Sequence, residues 1–211
     1  MTDISHHIPD SLLAAYAVGS LPEHYALVVA THVSMCLECR AGYEAHQAMG
    51  GMVLEGCAEE SVSSDTKSAL LDLLDVPYEP EPIYRKSGVY PGPIMEALKG
   101  RPPKWKSLGL GVRQSVLAGD SEGSVRLLYI PPGQAVPDHG HNGIELTLVL
   151  QGSFSDETGW FGVGDMEVAG PELEHTPIAD AGPPCICLAA TDAPLRFKSF
   201  MPRLLQPIFK I

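Results

Sequence analysis

The chain has 211 residues, 45% hydrophobic and 7% aromatic, with a formal net charge of −12. That length suits one or two globular domains with a sizeable core, and no apolar run approaches the ~20 residues of a membrane-spanning helix. The acidic balance repels phosphates and so argues against direct nucleic-acid binding.

The charge is uneven. Residues 1–76 carry eleven acidic residues against two basic ones, Arg40 and Lys67, a balance of −9; the remainder carries fifteen against twelve, or −3. An acidic front third favours a basic protein surface as partner. The first residues, Met-Thr-Asp-Ile-Ser-His-His, lack the basic and apolar regions of a secretory leader. Five cysteines, an odd number with metal-like spacing, fit a reducing compartment better than a disulfide framework. A cytoplasmic location is therefore expected.

The first third reads as helical. Leu12, Leu13, Tyr16 and Ala17 form an apolar stripe over 11–18, which Gly19 ends. Ser20-Leu-Pro-Glu23 has the form of a capping box for a second helix reaching about Ser34. A third helix is expected from about Leu37 to Gly56. Ser63-Ser64-Asp65 introduces a fourth, with Ala69, Leu70, Leu73 and Leu74 on its apolar side.

Between the second and third helices stands His32-x3-Cys36-x2-Cys39. Cysteines three apart at a helix start share a metal, and the histidine lies about one turn earlier. These are three good zinc ligands, whereas a structural zinc site takes four. His6 and His7 are the nearby candidates for the fourth. Cys57 falls outside the pattern and reads as a plain residue.

Residues 77–93 hold five prolines and read as an extended linker, so residues 1–76 are expected to act without the rest of the chain. From about Ile94 the texture turns β-rich. Runs such as 125–130 and 146–150 alternate with Gly/Pro turns, as in a jelly-roll barrel.

Within that region Gly133, His139-x-His141, Glu145 and Gly152 keep the spacing of the first cupin motif. His139 and His141 share one face of a strand, and Glu145 keeps their parity if the chain stays extended. His175, after Gly164-Asp165, has the place of the second motif's histidine, although Gly170 and Glu172 stand where that motif usually has proline and glycine. After residue 76 the only histidines are these three. Three imidazoles and a carboxylate suit Zn, Mn, Fe or Ni. Octahedral coordination by all four leaves two positions open.

A helical His-x3-Cys-x2-Cys domain joined to a C-terminal cupin resembles the ChrR-type zinc-binding anti-sigma factors. The resemblance extends to His6-His7, to Val-Val-Ala-Thr-His32, to Ala-Val-Pro-Asp-His-Gly-His141, and to Cys185-Ile-Cys-Leu-Ala-Ala-Thr-Asp-Ala-Pro-Leu-Arg-Phe197. It implies an α + β multidomain chain: helical zinc domain 1–76, linker 77–93, cupin 94–211. It implies zinc on His7, His32, Cys36 and Cys39, and a second divalent metal on His139, His141, Glu145 and His175. It also implies a group IV (extracytoplasmic-function type) sigma factor as partner, released in the response to singlet oxygen, with an oxidant or small-molecule effector at the cupin.

The same cupin ligands serve metal-dependent dioxygenases and isomerases. The fused anti-sigma module argues against such a free-standing enzyme. Cys185 and Cys187 are redox candidates: two apart on a strand they face one way, with Cα atoms about 6.7 Å apart, at the edge of disulfide reach.

Overall fold

The computed structural model describes residues 4–136, 139–140, 143–192 and 196–197. Helices lead the chain: α1 (Asp10–Ala17), α2 (Glu23–Met35), α3 (Leu37–Glu55), α4 (Ser64–Asp72, continued by a 3₁₀ turn Leu73–Asp75) and α5 (Gly92–Ala97). Three of them start directly after a proline, at Pro9, Pro22 and Pro91. Proline fixes φ and offers no donor, so it fits a helix entrance.

The expected capping box is not formed. Pro22 occupies the N-cap of α2 without a side-chain cap, and the Ser20 hydroxyl instead donates to the Ala15 carbonyl at 3.2 Å. With proline at the cap, the chain enters α2 too extended for Ser20 to fold back onto it. Ser63 does cap α4, accepting from the Thr66 amide at 3.1 Å.

The strands are β1 (Lys106–Gly109), β2 (Val112–Gly119), β3 (Ser124–Ile130), β4 (His139–Gly140), β5 (Glu145–Gln151), β6 (Phe154–Ser155), β7 (Trp160–Phe161), β8 (Met166–Ala169), β9 (Glu174–His175), β10 (Ile178–Ala179), β11 (Cys185–Thr191) and β12 (Arg196–Phe197). They form a six-stranded sheet of order β1-β2-β3-β11-β5-β8 and two three-stranded sheets, β10-β6-β7 and β12-β4-β9. The pairings are antiparallel, with non-sequential neighbours, as in a jelly roll.

Both faces of the large sheet are covered, and the sequence alternates accordingly. Ile186, Leu188 and Ala190 of β11 and Leu146, Leu148 and Leu150 of β5 belong to one core with Val28, Val29 and Val33 of α2. Cys185, Cys187 and Val149 point the other way, against Phe154, Phe161 and Ala179. Central strands buried on both faces lose the apolar–polar alternation of a half-exposed sheet, which is why β11 is apolar up to Thr191 and why β5 is buried from Glu145 to Leu150.

The helical region is therefore seated on the barrel. α2 packs on β3, β5, β11 and α5, and the Tyr25 hydroxyl donates to the Ile144 carbonyl at 2.7 Å. Leu188 is fully buried in this shared core. Leu188→Ala is expected to lower unfolding free energy by about 2–5 kcal/mol, read as a shift in denaturant midpoint at unchanged zinc content.

The chain from Gln47 to Ile83 behaves oppositely: every residue in it is exposed. It includes the second half of α3, all of α4, and Met52, Val53, Leu54, Leu70, Leu73 and Leu74. The apolar side expected for α4 thus exists but covers nothing among the described residues. Tyr84 ends this arm, its ring against Gly100 and its carbonyl against Gly92.

Candidate metal centres

The front centre forms where α2 meets α3. One residue, Cys36, separates them, and its extended backbone breaks the helix. Its thiol accepts from the Cys39 amide at 3.5 Å, capping α3. The His32 carbonyl accepts from the Cys36 amide at 2.8 Å, which holds the preceding turn. His32 Nε2 then lies 3.3 Å from Cys39 Sγ. The last member comes from the N-terminal segment: His7 Nδ1 lies 3.3 Å from Cys36 Sγ and 3.6 Å from Cys39 Sγ. All four ligand atoms fall within 4.8 Å of one another, a spacing that fits one metal ion.

The electrostatics suit a cation. Burial, helped by the neighbouring His7, holds His32 down to about 4, so its imidazole is neutral and its lone pair available. Burial pushes the Cys39 thiol up to about 11; a metal replaces that proton on binding. His7 turns its other nitrogen, Nε2, to Glu38 Oε2 at 3.3 Å, the arrangement in which an outer carboxylate orients a metal-binding imidazole. Sequence spacing left His6 and His7 as equals. Here His6 faces away, its ring 4.5 Å from that of Phe161.

What aims the two histidines apart is Asp165, in the turn before β8. Its Oδ1 accepts from the Ser5 amide at 2.7 Å and the His6 amide at 2.9 Å, and its Oδ2 from the Gly162 amide at 2.8 Å. The Met166 amide donates to the His6 carbonyl at 3.1 Å. Residues 5–6 are thus clamped to the barrel, and His7 is delivered to the cysteines. Gly164 completes the fit: its φ is +96°, and a Cβ there would collide with Ile4. The Gly164 carbonyl also acts on the His32 ring, without completing a hydrogen bond to Nδ1.

The barrel centre is described in part. β4 pairs with β9 so that His139 stands opposite His175; the side chain of His139 and all of His141 lie outside the described residues. Glu145 starts β5, buried, and its Oε1 accepts from the Thr147 hydroxyl at 3.1 Å. Its charge acts on His175 and on the buried Arg126.

His175 is buried, with Nδ1 2.7 Å from Asp156 Oδ2 and 3.1 Å from Glu167 Oε1. Burial alone would lower His175, yet Glu167 and then Asp156 raise it to about 9. Burial raises Glu167 to about 7. Asp156 resists its own burial through hydrogen bonds with Glu167, Thr158 and His175, and falls to about 2. Asp156, Glu167, Glu38 and Arg126 were not singled out from the sequence. Glu167 and Arg126 carried a usable signal, each being a charged residue inside a short β-rich run.

Cys185 and Cys187 face one way, as strand parity requires, with Sγ atoms 3.3 Å apart. Both are buried. Their mutual hydrogen bond, and then burial, raise Cys187 well above an ordinary thiol. A protonated, enclosed thiol is a slow nucleophile.

Residues 99–193 match the family described as the ChrR Cupin-like domain. The anti-sigma-E factor ChrR of Cereibacter sphaeroides is 52% identical over 211 residues, 99% of each chain. A crystal structure of Rhodobacter sphaeroides SigE in complex with the anti-sigma ChrR provides a match with TM-score 0.80 and 49% identity, covering 90% of this chain and 100% of that one.

Proposed function

This chain belongs to the ChrR family of anti-sigma factors, and from that membership we propose how its two centres divide the work. It is a regulator rather than an enzyme: it binds and inhibits a sigma factor of the extracytoplasmic-function class. No helix among the described residues is long and apolar enough to cross a membrane, and a cytoplasmic site of action fits a partner that serves RNA polymerase.

The observation that carries the reading is the exposed arm from Gln47 to Ile83 beside the His/Cys centre. Zinc on His7, His32, Cys36 and Cys39 ties the N-terminal segment, α2 and α3 into one unit. That unit presents the apolar side of α4 and the end of α3 to the sigma factor. A helix of nine residues is marginal alone in water, and a partner surface completes it. Residues 1–76 carry the sigma-binding surface, and the barrel supports it through α2.

The cupin holds a second divalent metal through His139, His141, Glu145 and His175, and its state governs release of the sigma factor in the singlet-oxygen response. Support comes from His139 standing opposite His175 across β4 and β9, and from the burial of both Glu145 and His175. A route to the front centre exists too. Glu167 touches His175, and two residues earlier Asp165 clamps Ser5 and His6, next to His7. The buried Cys185/Cys187 pair is the second reading of the sensor, favoured by its 3.3 Å separation.

Glu145→Ala tests the division. The variant is expected to lose the cupin metal, to keep its zinc and its sigma affinity, and to release sigma poorly under singlet oxygen. Normal release by a variant verified to lack the cupin metal would sink the sensory role of that metal. Serine variants of Cys185 and Cys187 would then take its place in the same assay.

A further inference from the structure

We propose that Asp156 and Glu167 are the positioning residues of the barrel centre, fixing the tautomer and aim of His175. The inference rests on the reading that His175 is a cupin metal ligand and deepens it.

An imidazole has two nitrogens, and only one can bind a given metal. Both carboxylates meet the same one, Nδ1, at 2.7 Å and 3.1 Å. Carboxylate oxygens accept, so two of them at hydrogen-bond distance make Nδ1 the nitrogen that keeps its proton when a metal binds. Nε2, on the far side of the ring from the two acids, is then the nitrogen that faces a metal. A carboxylate behind a metal-binding histidine raises its basicity and locks its ring, and losing it typically costs about 10–100-fold in metal affinity.

The two acids are themselves held, which separates them from a loose acidic cluster. Asp156 Oδ1 accepts from the Thr158 amide at 2.8 Å, the Thr158 hydroxyl at 2.7 Å and the Gly159 amide at 3.1 Å. That leaves Oδ2 for His175. Glu167 lies on β8, opposite Thr147 of β5, and Thr147 in turn donates to Glu145. Glu167 on β8 and Asp156 in the turn between β6 and β7 thus meet the ring from the side opposite its Nε2.

The test uses the full-length, zinc-loaded protein and titrates it with Mn²⁺, an ion with little taste for thiolates. Free Mn²⁺ is read by electron paramagnetic resonance. Glu167→Leu and Asp156→Leu are each expected to weaken Mn²⁺ binding about 10–100-fold, with zinc content at the front centre and sigma binding unchanged. Asp156→Asn keeps an acceptor for Nδ1 and is expected to recover most of the affinity lost in Asp156→Leu. Cobalt at the same site should show shifted d–d bands in Glu167→Leu, because donor strength at Nε2 changes.

Unchanged affinity and spectrum in folded variants overturn the proposal. So does abolished binding in Glu167→Leu equal to that of His175→Ala, which makes the acids direct ligands through a metal at Nδ1. If the parent protein holds only one zinc per chain and takes up no Mn²⁺ or Co²⁺ beyond it, the underlying cupin-metal reading fails as well.

Discussion

Cys36→Ser is expected to lose zinc and, with it, about 100-fold or more in affinity for the sigma factor. The size reflects three roles that Cys36 fills in one position. It is the break between α2 and α3, the cap of the Cys39 amide, and the nearest sulfur to His7. A serine hydroxyl can still cap, but it is a poor zinc ligand, so the variant isolates the metal. Structural zinc contributes folding free energy directly. Without it, His7 loses its anchor and the angle between α2 and α3 is no longer held.

The thiols also predict a pH dependence. Burial keeps Cys39 protonated up to about 11 without metal, so zinc must displace a proton. Apparent zinc affinity should therefore fall as pH falls through the neutral range. Cys57→Ser, in the exposed arm, is the control and should change neither property. Full sigma binding by a verified zinc-free Cys36→Ser protein would refute the structural role.

The double variant Leu70→Asp/Leu74→Asp is expected to weaken sigma binding on the order of a thousandfold, taking about 2 kcal/mol for each buried anchor. Leu70 is 57% and Leu74 79% exposed in the free chain, so neither holds the fold together. Zinc content and the unfolding midpoint should stay put, unlike in Cys36→Ser. One turn apart, the two side chains lie on one side of α4 and its 3₁₀ extension. Two new carboxylates there meet a desolvated apolar contact, where a buried charge without a partner is costly. Wild-type affinity in this variant would move the grip to another face.

Much of this was legible locally. The His-x3-Cys-x2-Cys run covers the last turn of α2, the break at Cys36 and the first turn of α3, so three ligand types lie close in sequence, and they converge. The limits of α3 and the parity of Cys185 and Cys187 are likewise local matters of helix and strand period. The Ser20 capping box failed for an equally local reason, since Pro22 took the cap. The Pro-rich stretch read as a linker, and residues 77–86 do lack a regular element. A linker, however, says nothing about whether the parts it joins touch.

Contacts across the chain had no such signal. His7 meets Cys36 from 29 positions away. His6 is turned aside by Asp165, 159 positions away. Spacing could not rank the two histidines, because the choice depends on which backbone amides a distant carboxylate captures. The valines of α2 are equally apolar whether they face another helix or a sheet, so seating on β3, β5 and β11 was decided by packing. The leucines on the apolar side read for α4 stay exposed among the described residues, because hydrophobicity demands burial without naming the surface that supplies it. The sequence by itself determined which ligands neighbour one another along a helix or strand, since those distances follow from backbone period. Only the tertiary structure decided which histidine joins His32 and the cysteines, which acids meet His175 and which arm stays exposed, since each depends on how separately folded elements dock.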